Sequence, residues 1–402
     1  MQTQEDKVKQ DQLIEVQECI QIQQLAAEDS VMNIDSKLEK KQHQNQIQEQ
    51  ETQQKQEQQI QENDSHNQQL TNQQTTFMST HSNIKPFTYQ LMKQYSIKQD
   101  QYCNAIAVNY DCTILVAGCG QYIKVFEFNQ AMLKQDQILC EHNSNVITLN
   151  FMKRQDQFIS GSSDHSIIIW ARNQNNSWFC YQKLLGHKSY IQCLALNNNE
   201  DIIASGGNDN AIIFWQKQNQ WLCSQTIIGH KQCVFGLSFN EQKNRLISCG
   251  QDCLILVIEQ SEQNKQWIII QTIESETCGV RLKFIDDDTF TLNPWGEEEM
   301  YIFQMNSVNK EYMYKKVIKG KGGYSDSPQF PQQYIKSKCI LLNKNGSNVS
   351  ILRRQQNGEF TIEQSIEFQT HYIFGCMTDD GQYLITWDFK SKEYQIRKYQ
   401  EQ

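Results

Sequence analysis

Ser224–Asn240 reads SQTIIGHKQCVFGLSFN, and Tyr181–Asn197 reads YQKLLGHKSYIQCLALN. Both segments place a Gly-His pair ahead of an apolar strand, and the two histidines, His187 and His230, lie 43 residues apart. Such a recurrence has two interpretations. Either the histidines are chemical groups, such as metal ligands or proton carriers, or they are structural parts of a repeated unit.

The sequence around each Gly-His pair repeats as well. SGSSDHSIIIW (Ser160–Trp170) aligns with SGGNDNAIIFW (Ser205–Trp215) at an offset of 45 residues, and SCGQDCLILVI (Ser248–Ile258) follows at an offset of 43. Each is followed by a strand with an aromatic start: WFCYQKL from Trp178, WLCSQTI from Trp221 and WIIIQTI from Trp267. A unit of about 44 residues with four antiparallel strands and Gly, Asn and Asp turns is typical of one propeller blade.

These segments resemble the WD-repeat family of β-propellers, in which His, Ser or Thr, Asp and Trp form a hydrogen-bonded tetrad within a blade. By position, the resemblance implies three structural sets: His142, Ser160, Asp164 and Trp170; His187, Ser205, Asp209 and Trp215; and His230, Ser248 and Asp252, with Ile258 in place of the expected Trp. The His–Asp spacing is 22 residues in all three sets. A metal or catalytic site is unique rather than periodic, so this spacing favours structural histidines.

The strand pattern continues on both sides of the three repeats. One unit precedes them, with Phe126 at the position of Trp170, and degenerate units follow from Gly279, Lys338 and Phe374. At about 44 residues per blade, the chain beyond Pro86 has room for seven blades.

The predicted fold is therefore all-β. It is a seven-bladed WD40 β-propeller over residues 86–402, with the best-defined repeats at about 140–180, 185–225 and 228–275. The last unit lacks a fourth strand, which PFTYQLMKQYSI (residues 86–97) supplies if the ring closes with strands from both ends.

Residues 1–85 differ in composition from the rest. They contain no Gly or Pro, and they include the Gln-rich run QHQNQIQEQETQQKQEQQIQEN. Apolar residues recur every seven positions at Leu13, Ile20, Ala27 and Ile34, but only Val16 supports a second seam position. This segment is predicted to be a solvated low-complexity tail, helical or disordered, with an oligomerising coiled coil as the alternative.

Charge and composition restrict the partners. Residues 1–85 hold 14 acidic and 7 basic side chains, which leaves a net charge of −2 for residues 86–402 out of the total of −9. A nearly neutral body has no basic field for nucleic acid or an anionic membrane, and no apolar run is long enough to cross a membrane.

The first residues show no signal-peptide core, and the 14 cysteines include no CxxC pair. We expect a cytoplasmic protein with reduced cysteines, no cofactor, no bound metal and other proteins as partners.

The candidate residues point to binding rather than catalysis. No Ser/His/Asp arrangement remains once the tetrads are assigned, so no catalytic residue is predicted and the chain is not expected to be an enzyme. A non-enzymatic scaffold for protein–protein interactions is the leading hypothesis. A propeller enzyme is the remote alternative, and it requires convergent polar residues inside the central channel.

The tetrad bonds should bring the Gly-His turns and the Asp turns to one rim of the propeller. Side chains beside these turns are the predicted partner face: Ser144, Asn145, His165, Ser189, Tyr190, Asn210, Lys231 and Gln232. Tyr190 is the preferred anchor because aromatic side chains with a polar end dominate interface energetics.

A narrower function comes from two aromatic-x-Cys motifs. Trp178-x-Cys180 and Trp221-x-Cys223 resemble the repeats of the WD-repeat component of the cytosolic iron–sulfur protein assembly complex. The resemblance covers about two blades and implies a scaffold that hands clusters to recipient apoproteins. The alternative is that these Trp and Cys side chains pack between blades.

Overall fold

The structure, a computed structural model, describes residues 85–242, 244–322 and 326–402. These residues belong to the compact unit Lys85–Gln402. The predictions for the Gln-rich tail, including its coiled-coil alternative, lie outside the described residues. Within the described ranges, no helix has both the length and the apolar character needed to cross a membrane.

The described chain consists almost entirely of β-strands, as alternating apolar residues between short turns predict. It begins with β1 (Phe87–Leu91), a 3-10 turn (Lys93–Tyr95) and β2 (Ile97–Lys98). Blade 1 contains β3 (Cys103–Val108), β4 (Ile114–Cys119), β5 (Tyr122–Asn129) and β6 (Met132–Leu139). Blade 2 contains β7 (Val146–Phe151), β8 (Gln157–Ser162), β9 (Ser166–Arg172) and β10 (Trp178–Leu185). Blade 3 contains β11 (Ile191–Leu196), β12 (Ile202–Gly207), β13 (Ala211–Lys217) and β14 (Trp221–Ile228).

The second half of the chain continues the pattern. Blade 4 contains β15 (Val234–Phe239), β16 (Arg245–Gly250), β17 (Leu254–Gln260) and β18 (Trp267–Glu274). Blade 5 contains β19 (Gly279–Asp286), β20 (Thr289–Pro294), β21 (Glu299–Met305) and β22 (Tyr312–Lys319). Blade 6 contains β23 (Gln333–Ile335), a 3-10 turn (Lys336–Lys338), β24 (Ile340–Asn345), β25 (Asn348–Arg354) and β26 (Phe360–Glu367). Blade 7 contains β27 (Ile373–Met377), β28 (Tyr383–Asp388) and β29 (Glu393–Glu401).

Seven antiparallel sheets result, which confirms the predicted seven-bladed β-propeller. Blade 7 takes its outer strand from the other end of the described chain. β1 pairs with β29 from Phe87 opposite Glu401 to Leu91 opposite Arg397, and β2 extends the same edge. Every blade therefore has at least four strands, and the ring contains no three-stranded sheet among the described residues.

The first strand of each blade lies beside the first strand of the next, from β27 through β3, β7, β11, β15 and β19 to β23. Between β23 and β27 the junction is made by Gln333. Its side chain accepts a hydrogen bond from the Met377 N–H (2.7 Å) and donates one to the Met377 carbonyl (3.1 Å). The seven first strands thus line a central channel.

Hydrophobic clusters fill the seven junctions between blades. Stacked aromatic pairs strengthen several of these clusters. Phe214 stacks on Trp267 across the junction of blades 3 and 4, with ring centroids 4.5 Å apart, and within blade 5 Phe290 stacks on Phe303 at 4.8 Å. Full burial of one such side chain stabilises the fold by about 1.5–3 kcal/mol. Because each core is shared by two blades, a single blade has no complete core of its own.

Glycines permit the close approach of neighbouring blades. Gly161 and Gly206 occupy the same position in the second strands of blades 2 and 3. A Cβ on Gly161 would lie 2.8 Å from Ile191 Cγ2, and one on Gly206 would lie 2.7 Å from Val234 Cγ1. Both neighbours belong to the first strand of the following blade, so packing requires the glycine of the Ser-Gly pair in blades 2 and 3.

Candidate functional site

The tetrad side chains of blade 2 form one continuous chain of hydrogen bonds. Trp170 Nε1 donates to Ser160 Oγ (2.8 Å), Ser160 Oγ lies 2.7 Å from His142 Nε2, and His142 Nδ1 lies 3.0 Å from Asp164 Oδ2. All four groups are satisfied when the imidazole carries its proton on Nδ1 and accepts the Ser160 hydroxyl proton on Nε2. In blade 3 the same chain joins Trp215, Ser205, His187 and Asp209 at 2.7–3.0 Å.

Blade 4 keeps three of the four groups. His230 Nε2 lies 2.8 Å from Ser248 Oγ, and His230 Nδ1 lies 3.0 Å from Asp252 Oδ1. Ile258, which replaces the tryptophan, is fully buried. Burial lowers the pKa of His230, and the hydrogen bond and charge of Asp252 oppose that shift.

Each tetrad carboxylate joins two turns. Asp164 accepts the Asn143 N–H (2.9 Å) from the Gly-His side and the Ser166 N–H (3.0 Å) from its own turn. Asp209 and Asp252 likewise accept the N–H groups of Lys188 (2.6 Å) and Lys231 (2.7 Å). The rim formed by these paired turns in blades 2–4 is called the upper rim below.

These bonds keep the carboxylates of Asp164 and Asp209 ionised. Burial alone would raise the pKa of Asp164, but hydrogen bonds from His142, Ser166 and the Asn143 N–H hold that pKa well below its usual range. The pKa of Asp209 is also lowered, because the bonds from His187 and the Lys188 N–H outweigh the cost of burial. Ser166 was not singled out from the sequence, since Ala211 and Leu254 occupy its position in the other two repeats.

The tetrad histidines cannot touch a substrate. The side chains of His142, His187 and His230 have 0% exposed surface. Every polar atom of these rings is used within the blade, and we propose that the sets act as structural fasteners between turns and strands.

The structure brings the predicted partner-face residues into one row along the upper rim. Asn145, Tyr190, Lys231 and Gln232 are exposed, and Ser144, His165, Ser189 and Asn210 are half-buried. The His165 ring of blade 2 lies 5.8 Å from the Tyr190 ring of blade 3. The Asn210 side chain of blade 3 donates to the Lys231 carbonyl of blade 4 (3.1 Å). The Asp turn of one blade thus contacts the Gly-His turn of the next, and these eight residues are called the rim face below.

The Asp turns share an unusual backbone conformation. His165, Asn210 and Cys253, each directly after the tetrad Asp, have φ values of 68°, 63° and 61°. Left-handed φ is uncommon outside glycine and is best tolerated by Asn, Asp and His. The carboxylate bonds on both sides of the turn hold this conformation and fix where the three side chains point.

A repeated glutamine clamp connects the outer strands of neighbouring blades, and it was not predicted from the sequence. In each clamp the Gln side chain accepts a backbone N–H and donates to the carbonyl of the same residue at 2.7–3.2 Å. The pairs are Gln137–Trp178, Gln182–Trp221, Gln225–Trp267, Gln271–Tyr312 and Gln364–Tyr89. The signal was present, because Gln stands four residues after the aromatic residue in WFCYQ, WLCSQ and WIIIQ.

The segment Asp326–Gln332, called the strap below, crosses the upper end of the central channel. The Arg281 guanidinium donates to both oxygens of Asp326 (2.6 and 3.1 Å) and to the Phe330 carbonyl (2.8 Å). The Lys344 ammonium also bonds to Asp326. Burial opposes ionisation of Asp326, but the attraction of Arg281 and Lys344 keeps its pKa below the usual range. No sequence motif marked this triad.

The tryptophans of the two Trp-x-Cys motifs pack between blades, whereas their cysteines are not buried there. Trp178 and Trp221 are 3% and 2% exposed and belong to the clusters between blades 1 and 2 and between blades 2 and 3. Cys180 is half-buried and Cys223 is exposed. In the described ranges, no group of three or more His, Cys, Asp or Glu side chains is placed to hold a metal ion, and all cysteines there are free thiols.

Comparison with known proteins gives the repeat family. The model of the "WD domain, G-beta repeat" family matches residues 133–171, 178–216 and 221–259. The chain contains WD40 repeats. Each match begins on the outer strand of one blade and ends on the third strand of the next, so a WD40 repeat and a blade are offset by one strand. This offset leaves the last blade of the WD40 propeller in need of an outer strand, which β1 provides.

One relative and one solved structure are similar to parts of the chain. Cilia- and flagella-associated protein 52 from Sus scrofa is 28% identical over 134 residues, which cover 33% of this chain and 21% of the relative. The match therefore spans about a fifth of that protein. A chain from a structure titled "Crystal Structure of Mitotic Checkpoint Complex" superposes with a TM-score of 0.62 at 13% identity, covering 79% of this chain and 95% of the solved one. At that identity the likeness shows the fold alone.

Proposed function

We propose that this WD40 propeller is a non-enzymatic scaffold that binds other proteins through the rim face. One observation carries the proposal: the contacts His165–Tyr190 and Asn210–Lys231 join three blades into one surface supported by buried tetrads. Turns held in place before binding lose little conformational entropy on binding, which favours affinity.

The rim face offers the chemistry of a protein interface. Tyr190 is 48% exposed and supplies a rigid aromatic anchor with a polar end. Lys231 adds a positive charge, and the neighbouring Ser, Asn and Gln side chains can donate and accept hydrogen bonds. Protein partners fit this mixture better than nucleic acid does, because the propeller carries almost no net charge.

The setting in which the scaffold acts is also a proposal. We expect it in the cytoplasm, and the name of the Sus scrofa relative makes ciliary or flagellar proteins the first partners to test.

The iron–sulfur assembly hypothesis stays a prediction, and no described contact favours it, since Trp178 and Trp221 pack between blades. The Gln-rich tail is proposed to act as a tether or an oligomerising segment.

The test is capture of partners by purified protein. Residues 85–402 are used as bait, unaltered and with the double substitution Tyr190→Ala and Lys231→Ala, and captured proteins are quantified by mass spectrometry. We expect at least tenfold less of the main partners on the variant, with an unchanged melting temperature, because both side chains are exposed.

Tyr110→Ala with Lys134→Ala is the matched control. Both side chains are exposed and lie near strand ends opposite the upper rim, in the β3–β4 turn and at the start of β6. The control variant should capture partners as the unaltered propeller does. Equal capture by the Tyr190/Lys231 variant would exclude the rim face as the binding surface.

A further inference from the structure

The central channel contains a cavity of about 310 Å³ that is lined by residues from all seven blades. Its wall includes Ala105, Asn150, Gln192, Leu237, Lys283, Gln333 and Gly375. This volume lies at the lower end of the range of small-molecule sites. The rim face does not contribute to the cavity, so an inference about it is independent of the proposed scaffold function.

The strap covers the upper end of this cavity. Gln329 donates to the Gln192 side chain (3.2 Å), which connects the strap to blade 3. The Gln192 amide in turn donates to Asn208 (2.8 Å). Arg281 also faces the cavity, but its donors are used by Asp326, the Lys344 carbonyl (2.6 Å) and the strap backbone. It therefore has no donor left for a ligand.

Two ion pairs border the lower end. Lys153 of blade 2 lies 2.9 Å from Asp379 of blade 7, and Lys336 of blade 6 lies 2.7 Å from Glu241 of blade 4. Each lysine is matched by one carboxylate, so the two pairs together add no net charge. Exposed pairs of this kind rearrange at little cost, which leaves the lower end as the route into the cavity.

Lys283 is the lysine of the described cavity wall that has no ion-pair partner. It projects from β19 in blade 5 into the cavity, and its side chain is only half-buried because it faces the channel. Among the described residues, its ammonium has no hydrogen-bond or ion-pair partner, although Asp379 and Glu241 attract it from a distance and Lys153 repels it. Burial lowers the pKa of Lys283 most, and repulsion by the charge of Lys153 lowers it further. An enclosed cation without a counter-ion is costly unless a ligand supplies the opposite charge.

We propose that the channel cavity binds a small anionic molecule whose carboxylate or phosphate group pairs with the Lys283 ammonium. A charge-assisted hydrogen bond to Nζ supplies the attraction. Channel-facing groups such as Thr148, Asn150 and Gln329 give a polar wall beside it. The cavity volume restricts the ligand to a small metabolite or a free anion, and a folded partner cannot enter.

The test is calorimetric titration of the full-length chain with two probes, inorganic phosphate and succinate. We expect saturable binding of at least one probe near one site per chain. Lys283→Met keeps an unbranched side chain, one atom shorter, and removes its charge, and it should weaken that binding at least tenfold. Lys134→Met removes an exposed lysine of the outer strand β6, away from the channel, as the control and should bind the probe as the unaltered chain does.

The two probes distinguish two classes of ligand. Binding of phosphate alone identifies a phosphate-bearing ligand, and binding of succinate alone identifies a carboxylate; either supports the site when Lys283→Met loses it. Lys283→Arg retains the charge and should retain binding, which guards against a folding defect in the Met variant. Absence of saturable binding with both probes overturns the proposal, as does equal binding by Lys283→Met.

Discussion

Single residues of this propeller have their roles fixed by what surrounds them. His187, Ser205, Asp209 and Trp215 are ordinary polar or aromatic side chains, yet burial makes each one depend on the next. A buried polar group that loses its partner costs about 1–3 kcal/mol, whereas the bond itself contributes about 1 kcal/mol. The tetrad is therefore more sensitive to removal of one member than its bond count suggests.

His187→Ala tests this at the residue scale. The substitution leaves Asp209 and Ser205 without their imidazole partner and leaves a cavity in the blade, so the free energy of unfolding should fall by about 2–4 kcal/mol. Denaturant unfolding followed by tryptophan fluorescence gives this value. Lys188→Ala is the matched control, because its side chain is exposed and its backbone N–H still bonds to Asp209.

The control should stay within about 0.5 kcal/mol of the unaltered chain. A loss of less than about 0.5 kcal/mol for His187→Ala would show that the histidine is not a structural fastener.

The sequence predicts residues well where they recur and poorly where they do not. The His–Asp spacing repeats three times, so the resemblance to WD repeats could be carried over by register, and the structure shows the bonds between those residues. Lys283 and Arg281 lie in degenerate blade 5, where no repeat supplies the register that would show which strand positions face the channel. The channel-facing residues of blade 5 therefore could not be predicted from the sequence.

At the scale of elements, outer strands need a connection that inner strands do not. The inner strands crowd around the channel, but outer strands diverge with distance from the axis. The Gln clamps bridge this gap at five junctions, and at the junction of blades 5 and 6 the Lys316–Glu359 ion pair (2.6 Å) occupies the corresponding place. The same kind of contact, a Gln side chain bonded to the neighbouring outer strand, thus recurs around the ring, and one ion pair replaces it between blades 5 and 6.

Gln182→Ala tests the clamp between blades 2 and 3. It removes the acceptor of the Trp221 N–H (2.9 Å) and the donor to the Trp221 carbonyl (2.8 Å). We expect amide hydrogen exchange at Trp221 to become at least tenfold faster, because the first residue of β14 loses its side-chain partner. Exchange measured by mass spectrometry or NMR gives the result.

Gln218→Ala, at an exposed glutamine between β13 and β14, is the control and should leave that exchange unchanged. Unchanged exchange at Trp221 in Gln182→Ala would mean that the clamp does not hold the strand.

Strands, like residues, could be predicted from the sequence where their pattern recurs. The seven-bladed fold was predicted correctly because strand and turn patterns persist even in degenerate units. The strap could not be predicted, because it is an insertion between β22 and β23 with no counterpart in the other blades. Its attachment depends on Asp326 meeting Arg281 and Lys344 from two other strands, a contact that local sequence does not encode.

At the scale of the whole molecule, the residues that stabilise the ring differ from those proposed to bind a partner. Buried tetrads, clamps and shared cores stabilise the blades, and the upper rim presents side chains that these contacts do not consume. The offset between WD40 repeat and blade means that the ring is complete only when β1 joins β29. We propose that this closed ring is a scaffold whose rim face binds a protein partner.

Hydrogen exchange of residues 85–402 with and without the main captured partner decides whether the rim face is the binding surface. We expect slower exchange in the upper-rim turns around Ser144, Ser189 and Lys231, with no change in the opposite turns around Tyr110. Protection confined to those opposite turns, or to the outer strands, would exclude the rim face as that surface.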